Sequence, residues 1–109
     1  MIARLWRGCV SNAVNADAYL RHFTGTVVPE LAGLQGHRGA WLLRREVDGR
    51  TEFTALTLWE SRQSIDAFTG PEISKAVVEP NARAVLDDFD DSASHYDVVV
   101  SRGPCSSSK

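Results

Sequence analysis

The 109-residue chain predicts an α+β fold, a four-stranded antiparallel sheet with its helices on one face, and three observations carry that expectation. Apolar residues alternate with a period of two in four separate runs, the pattern of strands in a sheet. Between the first and second runs, and again after the third, the spacing changes to three and four residues, the pattern of a helix with one apolar side. The second and third runs are joined by Asp48-Gly49, the strongest short hairpin signal, so they are antiparallel neighbours.

The first strand spans Ile2 to Gly8, with Ile2, Arg4 and Trp6 on one side and Ala3, Leu5 and Arg7 on the other. Asn12 or Asn15 then caps a helix whose stripe is Tyr19, Leu20, Phe23 and Val27 and which is expected to end near Gly25 to Pro29. His22 within it reads as a surface or hydrogen-bonded residue. A glycine-rich loop, LAGLQGHRG, leads to a second strand over Ala40 to Val47, where Arg44, Arg45 and Glu46 read as a solvated edge cluster. Thr51 to Trp59 has no Pro or Gly and is apolar on both sides, Phe53, Ala55, Thr57 and Trp59 against Leu56 and Leu58. Such a strand is central, with helices expected on the Leu56 and Leu58 side.

Ser61 caps the next helix, with Ile65 and Phe68 on its inner side. Gly70 and Pro71 break it, and Pro71 is expected to restart a helical piece through Ile73, Ala76 and Val77. Asn81 to Phe89 fits either a last helical turn or a short strand, and DDFDD reads as a solvated link. Ser94 to Val100 is the final strand, and SRGPCSSSK a disordered tail, so the domain covers 1–100 and the tail 101–109. The order strand, helix, strand, strand, helix, strand is the ferredoxin-like split βαβ plan, with sheet order 4-1-3-2.

Composition narrows the function. A net charge of -2 and a pI near 5.9 argue against nucleic acid as partner. No apolar run approaches the ~20 residues of a membrane helix, and MIARLWRG lacks a signal-peptide core, so a cytoplasmic protein is expected. Cys9 and Cys105 have no metal spacing and are expected to be free thiols, not bridged to each other.

The face expected to lack helices holds Ile2, Arg4, Trp6, Phe53, Thr57, Trp59 and His95, with Trp41. It is too apolar to stay wet, so a second copy is expected to cover it and close a dimeric α+β barrel around a lined cavity. MIARLWRG, the GHRG loop, LTLWES followed by AFTG, and HYDVV together resemble the antibiotic biosynthesis monooxygenase family over about residues 1–100. The resemblance implies cofactor-free oxidation of phenols by molecular oxygen in a homodimer, with no metal. Trp59 matches a pocket tryptophan of the quinone-forming members, whereas Ala55 and Ile65 stand where those enzymes carry asparagine and tyrosine. Phe68, and an apolar residue near Val78, replace the tryptophan and histidine of haem-degrading relatives, so haem oxygenation is not expected.

Arg4, Trp6, Trp59 and His95 are expected to converge on one cavity per subunit. His95 would take the substrate's proton and Arg4 would hold the resulting anion. Trp6 and Trp59 would stack a small aromatic substrate, with Phe53, Thr57 and Trp41 around it. Two other readings follow from the same barrel. A polyketide cyclase would consume no oxygen, and a non-catalytic dimer would pack Arg4 against His95 with no empty volume.

Overall fold

Nine residues of alternating burial, Ile2–Val10, form β1, the strand around which the sheet is assembled. The computed structural model describes residues 1–102. β1 pairs antiparallel with β3 (Arg50–Trp59) along its whole length, from Ile2 opposite Trp59 to Val10 opposite Thr51. β3 returns from β2 (His37–Val47) through Asp48 and Gly49, whose φ values of 52 and 78 are the two positive angles a type I′ turn requires. The far side of β1 carries two short pieces, β4 (Asp88–Phe89) opposite Gly8 and Cys9, and β5 (Ser94–Asp97) opposite Ile2 to Leu5. The expected order 4-1-3-2 is observed, with the last strand in two pieces.

α1 (Ala13–His22) starts where the Asn12 side chain accepts the Asn15 N–H at 2.8 Å. It does not stop near Gly25 to Pro29. The backbone widens into a π-helical turn, Phe23–Val27, in which the Val28 N–H reaches back five residues to the Phe23 carbonyl, and continues as α2 (Val28–Ala32). Pro29, with no N–H to donate, sits just past this widened turn, inside the continuous helical backbone. α3 (Arg62–Thr69) is held by reciprocal bonds between Ser61 and Ser64. The helix expected from Pro71 does not form. Residues 71–79 are irregular, and α4 (Pro80–Val85) uses Pro80 as its opening residue instead. DDFDD is no loose link either, because Asp87 and Asp90 N–H bond the Cys9 and Arg7 carbonyls and continue the sheet.

The four α-helices of the described residues cover one face, but it is the face expected to be open. Trp6, Val10 and Phe53 are buried with Tyr19 and Phe23 of the long helix, and Ile2 and Trp59 with Leu31 and Ile65. Thr57 and Arg4 are buried between them. The physical reason is size: the bulky aromatic side fills the deep space under the helices, while Leu5, Leu56 and Leu58 form the shallower, helix-free side. Trp41, register partner of Leu56, is the one residue of the expected set on that open face, where Trp41, Leu43 and Tyr96 remain 47%, 49% and 56% exposed. No helix of the described residues is long and apolar enough to cross a membrane. Apart from Ser101 and Arg102, the expected tail lies outside the described residues, as does Cys105 and with it the question of its pairing with Cys9.

Gly36 makes the turn into β2 possible, with φ at 89 and its carbonyl accepting the Glu60 N–H at 2.8 Å. A methyl group there would overlap Ser64 Cβ. Gly36→Ala should therefore destabilise the protein by about 2 kcal/mol or more, combining αL strain with displacement of α3. An unchanged urea midpoint would contradict this account of the turn.

Candidate functional site between the sheet and the helices

Arg4 sits near the middle of β1, opposite Thr57 on one side and His95 on the other, and is only 5% exposed. Its Nη2 donates to the Lys75 carbonyl at 2.9 Å and, at a longer 3.5 Å, to the Ile73 carbonyl. Its Nε is buried with no partner. The guanidinium carbon stands 5.6 Å from the centre of the Phe68 ring, and among the described residues no carboxylate pairs with it. Burial pushes the arginine down to about 10, which leaves it charged at neutral pH. A buried cation without a counter-ion costs several kcal/mol of lost hydration, so carbonyl dipoles and one aromatic face compensate Arg4 incompletely.

Beside it lies a cavity of about 50 Å³ under the helices. Trp6, Ala55 and Thr57 contribute from the sheet, Tyr19 and Phe23 from the long helix, Phe68 from α3, and Val77 to Glu79 from the irregular segment. Trp6 is fixed in place, since its indole N–H donates to the Asp90 carbonyl at 2.7 Å and its ring covers Gly8, where a Cβ would press on it at 2.9 Å. At another part of the lining, His22 Nε2 lies 3.3 Å from Glu79 Oε1. Glu30 joins them. Its carboxyl is held above the ordinary value by desolvation first, then by the hydrogen bond and charge of Glu79, against an opposing pull from His22. The cavity thus has a cation in its sheet wall, aromatic sides and an imidazole with two carboxyls elsewhere on its lining.

Of the residues expected to converge, Arg4, Trp6 and Thr57 line this cavity and the others do not. Trp59 is completely buried beneath the helices, stacked on Phe68 at 6.0 Å, with its indole N–H on Thr57 Oγ1 at 2.9 Å. Phe53 packs against Tyr19 at 5.1 Å in the core, and Trp41 lies on the opposite face. His95 is the register partner of Arg4 but is half-buried on β5, off the lining, with a buried Nε2 that has no partner. Desolvation first, and then the charges of Arg4 and Arg62, hold it below the usual histidine range. The expected four-residue constellation is corrected to two of its members. Tyr19, Phe23, Phe68, His22, Glu30 and Glu79 were not foreseen on the site. For His22 the signal was present, because it falls three residues after Tyr19 and shares the buried side of the helix. Glu79 follows no periodic pattern. Among the described residues no three His, Cys, Asp or Glu side chains are placed to hold a metal ion.

The sequence profile described as antibiotic biosynthesis monooxygenase matches residues 13–80, more than half of the chain. The chain belongs to that family. Antibiotic biosynthesis monooxygenases and their structural relatives also share its fold. A Bacillus cereus protein assigned to the same family is 18% identical, with 94% of this chain and 96% of that one aligned at a TM-score of 0.66. A haem-degrading protein of Mycobacterium tuberculosis, solved with two haems in its active site, is 21% identical over 94% and 100% of the two chains, at a TM-score of 0.63. A cofactor-independent oxygenase from Streptomyces nogalater is 15% identical over 92% and 94%, also at 0.63. At these identities the likeness is one of fold. No curated protein matches the chain in sequence. The family match begins after β1, so Arg4 and Trp6 lie outside it.

Proposed function

We propose that this family member is a cofactor-independent monooxygenase acting on a small aromatic or polyketide-like substrate in the cavity between sheet and helices. The observation that carries the reading is the pairing of a buried, uncompensated Arg4 with aromatic walls and a His22–Glu79 pair on one lining. Family membership and the fold shared with a cofactor-independent oxygenase support it. A phenol or anthrone bound there loses a proton to the His22–Glu79 pair, and Arg4 holds the anion, whose raised energy makes electron transfer to oxygen accessible. At a ring methylene the balance is one O2 consumed: one oxygen atom becomes the new carbonyl, and the other leaves as water with the two hydrogens. His22 takes the acid–base role first assigned to His95, because His22 lines the cavity and His95 does not. The protein is proposed to work as a homodimer joined through the helix-free sheet face.

The test is oxygen consumption with a panel of one- to three-ring phenols and anthrones. His22→Ala should lower kcat by about 10²–10⁴-fold, the usual weight of a general base, while His95→Ala should change it less than about tenfold. A loss confined to His95→Ala, with His22→Ala near the natural rate, would return the role to His95, and equal losses would remove the assignment to His22 alone. Turnover of a polyketide without oxygen uptake would establish the cyclase instead.

A further inference from the structure

Arg4 presents a chemical contradiction that the oxygenase reading alone does not resolve. It is 5% exposed and carries a full charge, yet its Nη2 is spent on two carbonyls of the irregular segment while Nε has nothing. Nε–H and one Nη2–H lie parallel along one edge of a guanidinium, the fork that matches the two oxygens of a carboxylate. Phe68 lies against the guanidinium, and Trp6, Tyr19 and Phe23 are among the other walls of the cavity that Arg4 lines. Volume then limits what can enter. An apolar cavity of about 150 Å³ admits a benzene ring. One of about 50 Å³ admits water, and no ring until a wall moves.

The movable wall is the segment whose carbonyls Arg4 now holds. Residues 71–79 have no helix or strand of their own and place Val77, Val78 and Glu79 on the cavity. Their other side is tethered, by the Ala76 N–H on the Asp91 carbonyl at 3.0 Å and the Ser74 carbonyl accepting the Ala93 N–H at 2.7 Å. Breaking the Arg4 contacts therefore frees one side of a strap whose other side is tied to the sheet edge.

We infer that Arg4 is the receptor for the carboxylate of a small aromatic acid, which replaces the Ile73 and Lys75 carbonyls on the guanidinium and so lets the 71–79 strap swing off the cavity. The exchange conserves hydrogen bonds and replaces two neutral acceptors with a full counter-charge, recovering part of the hydration that burial removed from Arg4. The His22–Glu79–Glu30 cluster would then select a ring with a hydrogen-bond donor, such as a phenolic hydroxyl. The inference rests on this cavity being the substrate site but not on the oxygenation step.

The experiment compares benzoate with benzamide, the same shape without the charge, by calorimetry on the intact chain. Benzoate should bind at least about thirtyfold more tightly, the scale for losing one partner of a buried charge pair. Arg4→Met should remove that preference, and Arg4→Lys should keep part of it. Hydrogen exchange should accelerate with benzoate at the Lys75 amide, which bonds the Glu72 carbonyl within the strap, while the tethered Ala76 amide keeps its protection, and neither should change with benzamide. Equal binding of the two compounds by the natural chain would overturn the inference whatever the variants do, and benzoate binding with no change in exchange would overturn the strap. Benzoate preference without oxygen uptake on any phenol would sink the oxygenase and leave the anion receptor standing.

Discussion

Trp59→Ala should lower the stability of the protein by about 3–5 kcal/mol and its melting temperature by well over 10 °C. Trp59 is fully buried where β3 meets α2 and α3, against Leu31 and Ile65. Its removal opens a void that Phe68 and His37 border, since one stacks on the indole at 6.0 Å and the other meets it edge-on at 5.1 Å. Truncation also frees the Thr57 hydroxyl, on which the indole N–H rests. A total stability of 5–15 kcal/mol leaves little after such a loss. The measurement discriminates between two roles for this tryptophan. A residue lining an empty ligand site would have little packed against it, and its alanine variant would melt close to the natural protein. That result would contradict the placement of Trp59 in the core.

Strand order was legible because two local signals agree. Asp48-Gly49 can only turn a hairpin tightly, and the uninterrupted run before Trp59 can only be a central strand. Which side of that strand faces the helices was not legible, because alternation separates two faces without naming them, and both are apolar here. Phe53, Thr57 and Trp59 stand against Leu56 and Leu58, and the decision comes from how much volume each side must fill. The candidate site inherited this ambiguity. Arg4, Trp6 and Thr57 share a cavity because they lie on one side of the paired strands β1 and β3, as alternation predicts, but the cavity lies under the helices and not against a second sheet. The helix after Pro71 failed for a different reason: Ile73 and Ala76 have helical spacing, yet each packs separately against the core from an irregular backbone that also supplies carbonyls to Arg4. Proline opens a helix equally well at Pro71 and Pro80, and only tertiary contacts chose the second.

Leu56→Asp should convert the protein to a monomer at micromolar concentration while leaving its far-ultraviolet circular dichroism unchanged. Leu56 is at the centre of the helix-free face, in register with Leu5 of β1 and Trp41 of β2, and Leu58, Leu43 and Tyr96 extend the same patch across the sheet. Among the described residues nothing covers Trp41, Leu43 or Tyr96, which remain about half exposed. A stable interface removes ~800 Å² per partner from water, and the proposed dimer would take it from this face. In a two-fold pair the substitution enters twice and brings two carboxylates into one apolar seam. At several kcal/mol for each unpaired buried charge, association should weaken on the order of 10⁴-fold. The monomer itself should keep its fold, because Leu56 points away from the helix-covered core that Phe53, Thr57 and Trp59 help to build. Sedimentation showing an unaltered dimer in Leu56→Asp would place the interface elsewhere, and a monomer from the natural sequence would remove the barrel altogether. The same strand links this face to the cavity, since Leu5 and Arg4 are adjacent on β1 and point to opposite sides of the sheet. A dimer formed through Leu5 and Leu56 would therefore brace the backbone that holds the guanidinium, and benzoate affinity should fall in Leu56→Asp even though the residue is on the other face from the cavity.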